Sequence, residues 1–456
     1  MPFATLPIMT KYLNLIDYGY FALFSLCLIP FLILTEYGAG YVIYSNWFDF
    51  NDNDRGKLVF SLLIVGTTLT LSIVLLFSLI GDTIFPIIIG ENWNNIKSLK
   101  IYLFVTAFTY IPVTIFNYWV VIEKKAKLNV FIKGFEIIAG TSLTLYLTIY
   151  TQDYQFIIAG MTLTAIASSI VQFMYLIRIM SYSYEKRFFK LIFQIGSPIF
   201  IRSSFNHIRM QFDKIVVANL FGASQFALYN FAGRFNQIYG ELNSNFSKAF
   251  QPIIFKGLAE NNLDIESIRR TFFIWSYLTL LGCSFFIIFG KQIIDFLTNG
   301  MFTEAYPLLI LYTCIVSIEL LSLGNGEVVV HNKETKYLLF MTIVQALVMS
   351  SLALILIPKY GAPGGIIAYW SGIVVNVLMY FLKKQQLYKV WFNEKLALPY
   401  IFIFHTIVIL KYFGVSPLVN YLLLIVIVIM TIHVWVINQR FFKEIFSKIK
   451  FRFTTI

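Results

Sequence analysis

Charge is scarce in this chain: 13% of its 456 residues are Asp, Glu, Lys or Arg, about half the share of a soluble globular domain. The longest polar connections, 45–57, 181–190 and 256–270, are each too short to bury a core of their own, which excludes an embedded water-soluble domain. Cysteine is nearly absent too. Cys27, Cys283 and Cys314 stand singly in apolar runs without C-x-x-C spacing, which excludes a disulfide framework or a zinc site. The four histidines, His207, His331, His405 and His433, fall on separate segments at no metal-ligand spacing, and no metal or resident cofactor is expected. There is no G-x-x-x-x-G-K-[ST] loop and no G-x-S-x-G elbow, so ATP hydrolysis and serine-nucleophile chemistry are not expected.

What the chain has is apolar sequence: 58% hydrophobic, 18% aromatic, mean hydropathy +0.75. Taking about twenty apolar residues as one crossing, spans fall near 18–44, 58–85, 101–122, 128–150, 155–178, 192–216, 224–254, 271–290, 305–330, 337–357, 363–382, 397–413 and 418–438. Met1 to Met9 is apolar but too short to cross, and lacks the basic start and small-residue cleavage site of a signal peptide. It reads as the tail of a missing or shortened helix. The fold class is therefore an all-α polytopic membrane protein of about fourteen helices. The net charge of +12 does not point to nucleic acid, because the basic residues sit at the ends of spans, where they set orientation. Alternate loops carry 23 Lys and Arg against 6 on the opposite side, which places the C-terminus in the cytoplasm.

Charges inside the spans matter most, since each costs roughly 2.5–3.5 kcal/mol at the centre of an inserted helix. In span 192–216, Arg202, Asn206, Arg209 and Asp213 are spaced by four, three and four and share one helical face. The next span repeats the device with Asn230, Arg234, Gln237, Glu241, Asn245 and Lys248. Such stripes must face protein or water. One reading is polar glue between helices, such as Arg209 with Glu241. The other, favoured, is a cationic substrate cavity of Arg202, Asn206, Arg209, Asp213, Arg234, Gln237 and Glu241, in which guanidinium forks hold a pyrophosphate or acidic sugar. His207 lies about 100° off the stripe and reads as a structural contact. Glu36, Glu136, Glu319 and Glu327 are candidates for binding a coupling H+ or Na+, with Glu36 and Glu319 preferred. Glu136, one turn from Lys133, reads as its ion-pair partner. Glu327 follows Gly324-Asn325-Gly326 in a broken-helix segment. Lys248 and Lys256, near the inner surface, read as contacts to anionic membrane lipids.

Three stretches carry a family resemblance: Leu13-Asn14-Leu15-Ile16-Asp17-Tyr18-Gly19 with Glu36-Tyr37-Gly38; Asp213-Lys214 with Leu220-Phe221-Gly222 and Ala227-Leu228-Tyr229; and Ile357-Pro358-Lys359-Tyr360-Gly361-Ala362-Pro363-Gly364-Gly365. In order and spacing the chain resembles the Wzx-type flippases of O-antigen and capsular polysaccharide, in the multidrug/oligosaccharidyl-lipid/polysaccharide exporter superfamily. It departs from them in its short first helix and in Ala227, where a glycine is usual. Tyr18 to Phe21 and Phe226 to Tyr229 also occupy corresponding places in a faint internal repeat, which predicts two six-helix halves around a central cavity with alternating access. The expected division is residues 1–180 (spans 1–6), residues 181–382 (spans 7–12), and residues 383–456, two further helices with a basic tail. The resemblance implies a flippase of the bacterial inner membrane that moves a polyprenyl-pyrophosphate-linked oligosaccharide to the outer leaflet, with glycan-assembly enzymes as partners. A cation-coupled multidrug exporter is the alternative, although its cationic cargo calls for carboxylates rather than arginines. A membrane-embedded glycosyltransferase or polymerase is the second alternative, and the short outside connections 86–100 and 291–304 speak against it.

Overall fold

The structure, a computed structural model, describes residues 5–260, 262, 264–332, 334–387, 394–414 and 418–437. Among them there are helices and short connections and no strand. This is the all-α membrane fold that the apolar runs predict, because a backbone in hydrocarbon must satisfy its own hydrogen bonds. In chain order the helices are α1 (Leu6–Tyr12), α2 (Leu15–Glu36), α3 (Ala39–Asn46), α4 (Asp52–Ile89), α5 (Trp93–Ile96), α6 (Lys100–Ile122), α7 (Ala126–Thr151), α8 (Tyr154–Ile179), α9 (Lys186–Ala259), α10 (Ile265–Thr298), α11 (Tyr306–Glu319), α12 (Asn325–His331), α13 (Thr335–Tyr360), α14 (Ala362–Leu387), α15 (Glu394–Tyr412) and α16 (Leu418–Ile437).

Two of the long helices start at side-chain caps. Asn14 caps α2 by accepting from the Asp17 amide at 2.8 Å, and Asn51 caps α4 in the same way through Asp54, each satisfying an amide that the first turn leaves unpaired. The break after α2 falls at Tyr37 and Gly38, whose φ values of 32° and 71° cannot continue a right-handed helix. A break also divides α11 from α12, at Gly324 with φ 76°, where the Gly-Asn-Gly-Glu segment predicts one.

Ten stretches of the described helices are long and apolar enough to cross a bilayer, and Ala397–Tyr412 is a shorter apolar helix. Two of the ten hold two crossings each. Asp52–Ile122 contains α4 and α6, and α9, at 74 residues, would run roughly 110 Å if straight, several times the hydrocarbon thickness. It bends at Gly222, with φ 77° and ψ −178°. The thirteen complete crossings read from the sequence each fall on a helix or helix pair, the last of them running one residue beyond the described Ile437. Exposed apolar side chains on these helices, such as Leu79 at 82% and Phe131 at 74%, suit lipid rather than water.

Packing separates two units, residues 1–228 with 296–301, and residues 229–295 with 302–456. The parting at Leu228 and Tyr229 lies within the crossing read at 224–254, while the division at 181–190 is one of sequence repeat and stands as a proposal. In the first unit α6 packs on α2, α4 and α8, and α7 on α8, around Val42, Trp47, Leu58, Ile115, Phe116 and Trp119. There α2 meets the first half of α9 at two near-contacts of backbone. A Cβ on Gly19 would sit 2.2 Å from the Ala223 carbonyl oxygen, and one on Gly196 would sit 2.6 Å from that of Tyr37. In the second unit α13 packs on α14, and α11 on α14 and α15. Aromatic stacking there joins Phe231 to Phe302 at 4.5 Å and Phe246 to Trp275 at 4.4 Å.

Candidate functional site

The first stripe is carried by the early half of α9, in the first unit. One face of that half is fixed by α2: Phe200, Ser204, His207, Ile208, Gln211 and Ile215 line an apolar gap of about 270 Å³ against Pro30 and its neighbours. At 100° per residue, Arg202, Asn206, Arg209 and Asp213 lie on roughly the opposite side of the helix. They therefore face away from α2. Their burial deepens along the helix: Arg202 is exposed, Asn206 and Arg209 are half-buried, and Asp213 is 4% exposed.

Within this row Arg209 donates from Nη2 to the Asn206 side-chain oxygen at 2.9 Å. The buried Nε of Arg209 has no hydrogen-bond partner among the described residues. Asn206 holds one arm of the guanidinium while the rest keeps donor capacity, which suits a group that must bind an oxyanion. His207 donates through Nδ1 to the Ser203 carbonyl at 2.8 Å, a contact internal to its own helix. Lys214, 8% exposed, donates to Gln211 at 3.0 Å. No feature of the spacing distinguishes this buried lysine from one that reaches an interface.

The second stripe lies on the later half of α9, in the second unit. Arg234 is half-buried, while Gln237, Glu241, Asn245 and Lys248 are exposed. The side chain of Lys256 lies outside those described. The neighbouring face of this half is anchored by Asn243, 7% exposed, whose oxygen accepts from the Trp275 indole at 2.8 Å. Asn243 lies off the charged row, and its role as an anchor could be suspected only from a polar residue on an otherwise packed face.

The two acids singled out for ion coupling are differently placed. Glu36 ends α2 and accepts a hydrogen bond from the Tyr118 hydroxyl. Glu319 ends α11, half-buried, and its carbonyl accepts from Ser322 at 2.7 Å. Among the described residues, no group of three or more His, Cys, Asp or Glu is arranged to hold a metal ion.

A family described as polysaccharide biosynthesis protein matches residues 1–258. No curated protein matches the chain. Among solved structures the fold is similar to the lipid II flippase MurJ in an inward closed conformation, with TM-score 0.70 and 15% identity over 97% of this chain and 96% of that one. It is also similar to an inward-facing multidrug resistance MATE family transporter of the MOP superfamily, with TM-score 0.68 and 16% identity over 84% and 94%. A third likeness is to a MOP superfamily transporter from Pyrococcus furiosus described as having a binding pocket of reverse polarity, with TM-score 0.56 and 15% identity over 84% and 94%. These likenesses establish the fold, and the family match covers more than half of the chain. The chain belongs to the polysaccharide biosynthesis protein family of multi-pass membrane proteins.

Proposed function

We propose that this protein is a flippase that carries a polyprenyl-pyrophosphate-linked oligosaccharide, a repeat unit of an O-antigen or a capsular or exopolysaccharide, across a bacterial inner membrane by alternating access. The observation that carries the reading is the Arg202–Asn206–Arg209–Asp213 row, which faces away from α2 and includes the half-buried Arg209 guanidinium, whose Nε has no hydrogen-bond partner among the described residues. Guanidinium matches phosphate oxygens in a planar fork, so a row of this kind fits an anionic headgroup and repels a cationic drug. Arg234, Gln237 and Glu241, on the later half of α9, are a separate candidate set of cargo contacts within the second unit. The membrane potential favours export: an anionic head moving to the positive side gains about 2.3 kcal/mol per charge per 100 mV. Glycan-assembly enzymes would supply and consume the cargo.

The test is the lipid-linked oligosaccharide pool of the producing cell after deletion of the protein, with add-back of wild type, Arg209→Ala or Arg234→Ala. Cargo trapped on the cytoplasmic leaflet, relieved by wild type and by neither variant at equal membrane levels, is the expected result. An unchanged pool with altered drug tolerance would favour the multidrug exporter, and single repeat units piling up on the outer leaflet would favour a polymerase.

A further inference from the structure

Past the break at Tyr37 and Gly38 the chain runs on as α3 and a tight turn, Trp47–Asp49. One side of this segment is fastened to α6 and the turn that follows it. Gly40 lies against Tyr118, where a Cβ would sit 2.4 Å from a ring carbon, and the buried Trp47 donates from its indole to Glu123 at 2.7 Å. The other side carries Tyr41, Tyr44 and Phe48, spaced by three and four on one helical face and 45–70% exposed. Tyr44 also meets Tyr118 edge-on, with ring centres 5.5 Å apart.

Depth decides what covers that exposed face. The 22 residues of α2 rise roughly 33 Å, enough to cross the hydrocarbon core of about 30 Å by themselves. Hence α3 begins where the hydrocarbon ends. Its fastening points, Tyr118 and Glu123, are separated by a rise of roughly 7.5 Å, close to the thickness of about 5–7 Å of one headgroup layer. Aromatic rings settle in that layer, tyrosine with its apolar body inward and its polar tip in water.

The same layer is basic. The turn from α6 to α7 that holds Glu123 presents Lys124, Lys125 and Lys127, all exposed, and no salt bridge ties any of them to an acid among the described residues. Lys125 Nζ lies 4.1 Å from the centre of the Trp119 ring. Of the acids nearby, Glu123 is engaged by Trp47 and Asp52 by Arg55 at 2.9 Å. Asp49 is exposed, and three lysines against it leave the surface positive.

We propose that the Tyr41, Tyr44 and Phe48 face, with Lys124, Lys125 and Lys127, is a docking surface for anionic phospholipid in the leaflet that the charge bias predicts to be the inner one. The rings sit at headgroup depth and the lysines meet lipid phosphates. Charge complementarity and depth together select this occupant, since a basic, aromatic surface at the headgroup layer attracts anionic lipid while a zwitterionic headgroup offers it no net charge. The inference stands on this surface of the first unit and is independent of which cargo the arginine row takes.

The experiment titrates the purified full-length protein in detergent with phosphatidylglycerol, and in parallel with phosphatidylcholine, and reads the thermal midpoint. The expected result is a saturable rise specific to phosphatidylglycerol and weakened by salt. The apparent affinity should fall by about tenfold or more when Lys124→Gln, Lys125→Gln and Lys127→Gln are combined, and stay unchanged in Lys359→Gln, an exposed lysine that the charge bias puts on the opposite side. A second measurement does not depend on stability. The native cysteines are buried, so a nitroxide can be placed selectively on Phe48→Cys, and in nanodiscs containing phosphatidylglycerol it should collide with dissolved oxygen in preference to a water-soluble nickel chelate. Equal responses to the two lipids overturn the proposal, and so does a phosphatidylglycerol response kept in full by the triple variant. A label that meets the nickel chelate freely puts the face in water, which overturns the proposal and leaves the surface to a soluble partner.

Discussion

Gly222 holds φ 77° and ψ −178° in the middle of α9, a backbone region that side chains with a Cβ avoid at a cost of order 1–3 kcal/mol. Space is not the constraint, since a Cβ there would meet nothing nearer than the Asn92 side-chain oxygen at 3.9 Å. Gly134 is the opposite case: it is helical, without positive φ, and a Cβ would meet nothing within 4 Å. Gly222→Ala should therefore lower stability by about 1–3 kcal/mol, and Gly134→Ala should raise it by about 0.5–1 kcal/mol through helix propensity. Thermal unfolding of both variants in the same detergent checks the pair, and equal shifts would remove the backbone explanation. Spacing alone exposes the arginine row, because four charged or amide residues recur at helical period in an apolar run. It does not expose the setting of Glu136. An acid three residues from a lysine satisfies a local rule, and only the packing of α2, α6 and α8 against α7 reveals that Glu136 lines a cleft while Lys133 is exposed.

Helices announce themselves in this sequence because each crossing needs its own apolar run, and breakers such as Gly38, Gly324 and Gly361 punctuate them. Which helix meets which is another matter. Hydropathy is the same on both faces of a lipid-bathed helix, so the near-contacts of α2 with the early half of α9 are invisible before the structure. The connection from α8 to α9 is likewise fastened by groups that read as scattered surface charges. Glu185 accepts from Lys57, at the start of α4, and from Arg187 at 2.6 Å, while Arg187 also reaches Asp54 at 2.5 Å. The hydrogen bond from Lys57, followed by that from Arg187, holds the Glu185 carboxyl below its ordinary value of 4.5. A depressed carboxylate contributes stability that is present above its unfolded pKa and is lost as pH falls through the folded one. The difference in thermal midpoint between wild type and Glu185→Gln should thus be constant from neutral pH down to about pH 5 and close at lower pH. It should also shrink with added salt, since the group is solvated. A difference that widens on acidification would show that the carboxylate does not hold this connection.

For the whole molecule, orientation decides whether the membrane potential helps or hinders an anionic cargo, and α10 offers a test at both of its ends. Its 34 residues span roughly 51 Å, well beyond the hydrocarbon core of about 30 Å, so both ends reach water. Arg269 and Arg270 sit at its first end and Lys291 near its last, and the charge bias over all loops predicts that the first end is retained in the cytoplasm. Ser267 at that end and Glu304 just past the other are exposed. The native Cys27, Cys283 and Cys314 are buried, which keeps thiol background low. In intact cells a membrane-impermeant maleimide should label Glu304→Cys, and it should label Ser267→Cys only after permeabilisation. The reverse pattern would invert the molecule. The potential would then oppose release of a pyrophosphate at the outer leaflet by about 2.3 kcal/mol per charge per 100 mV, and export of an anion would require an ion gradient coupled to it.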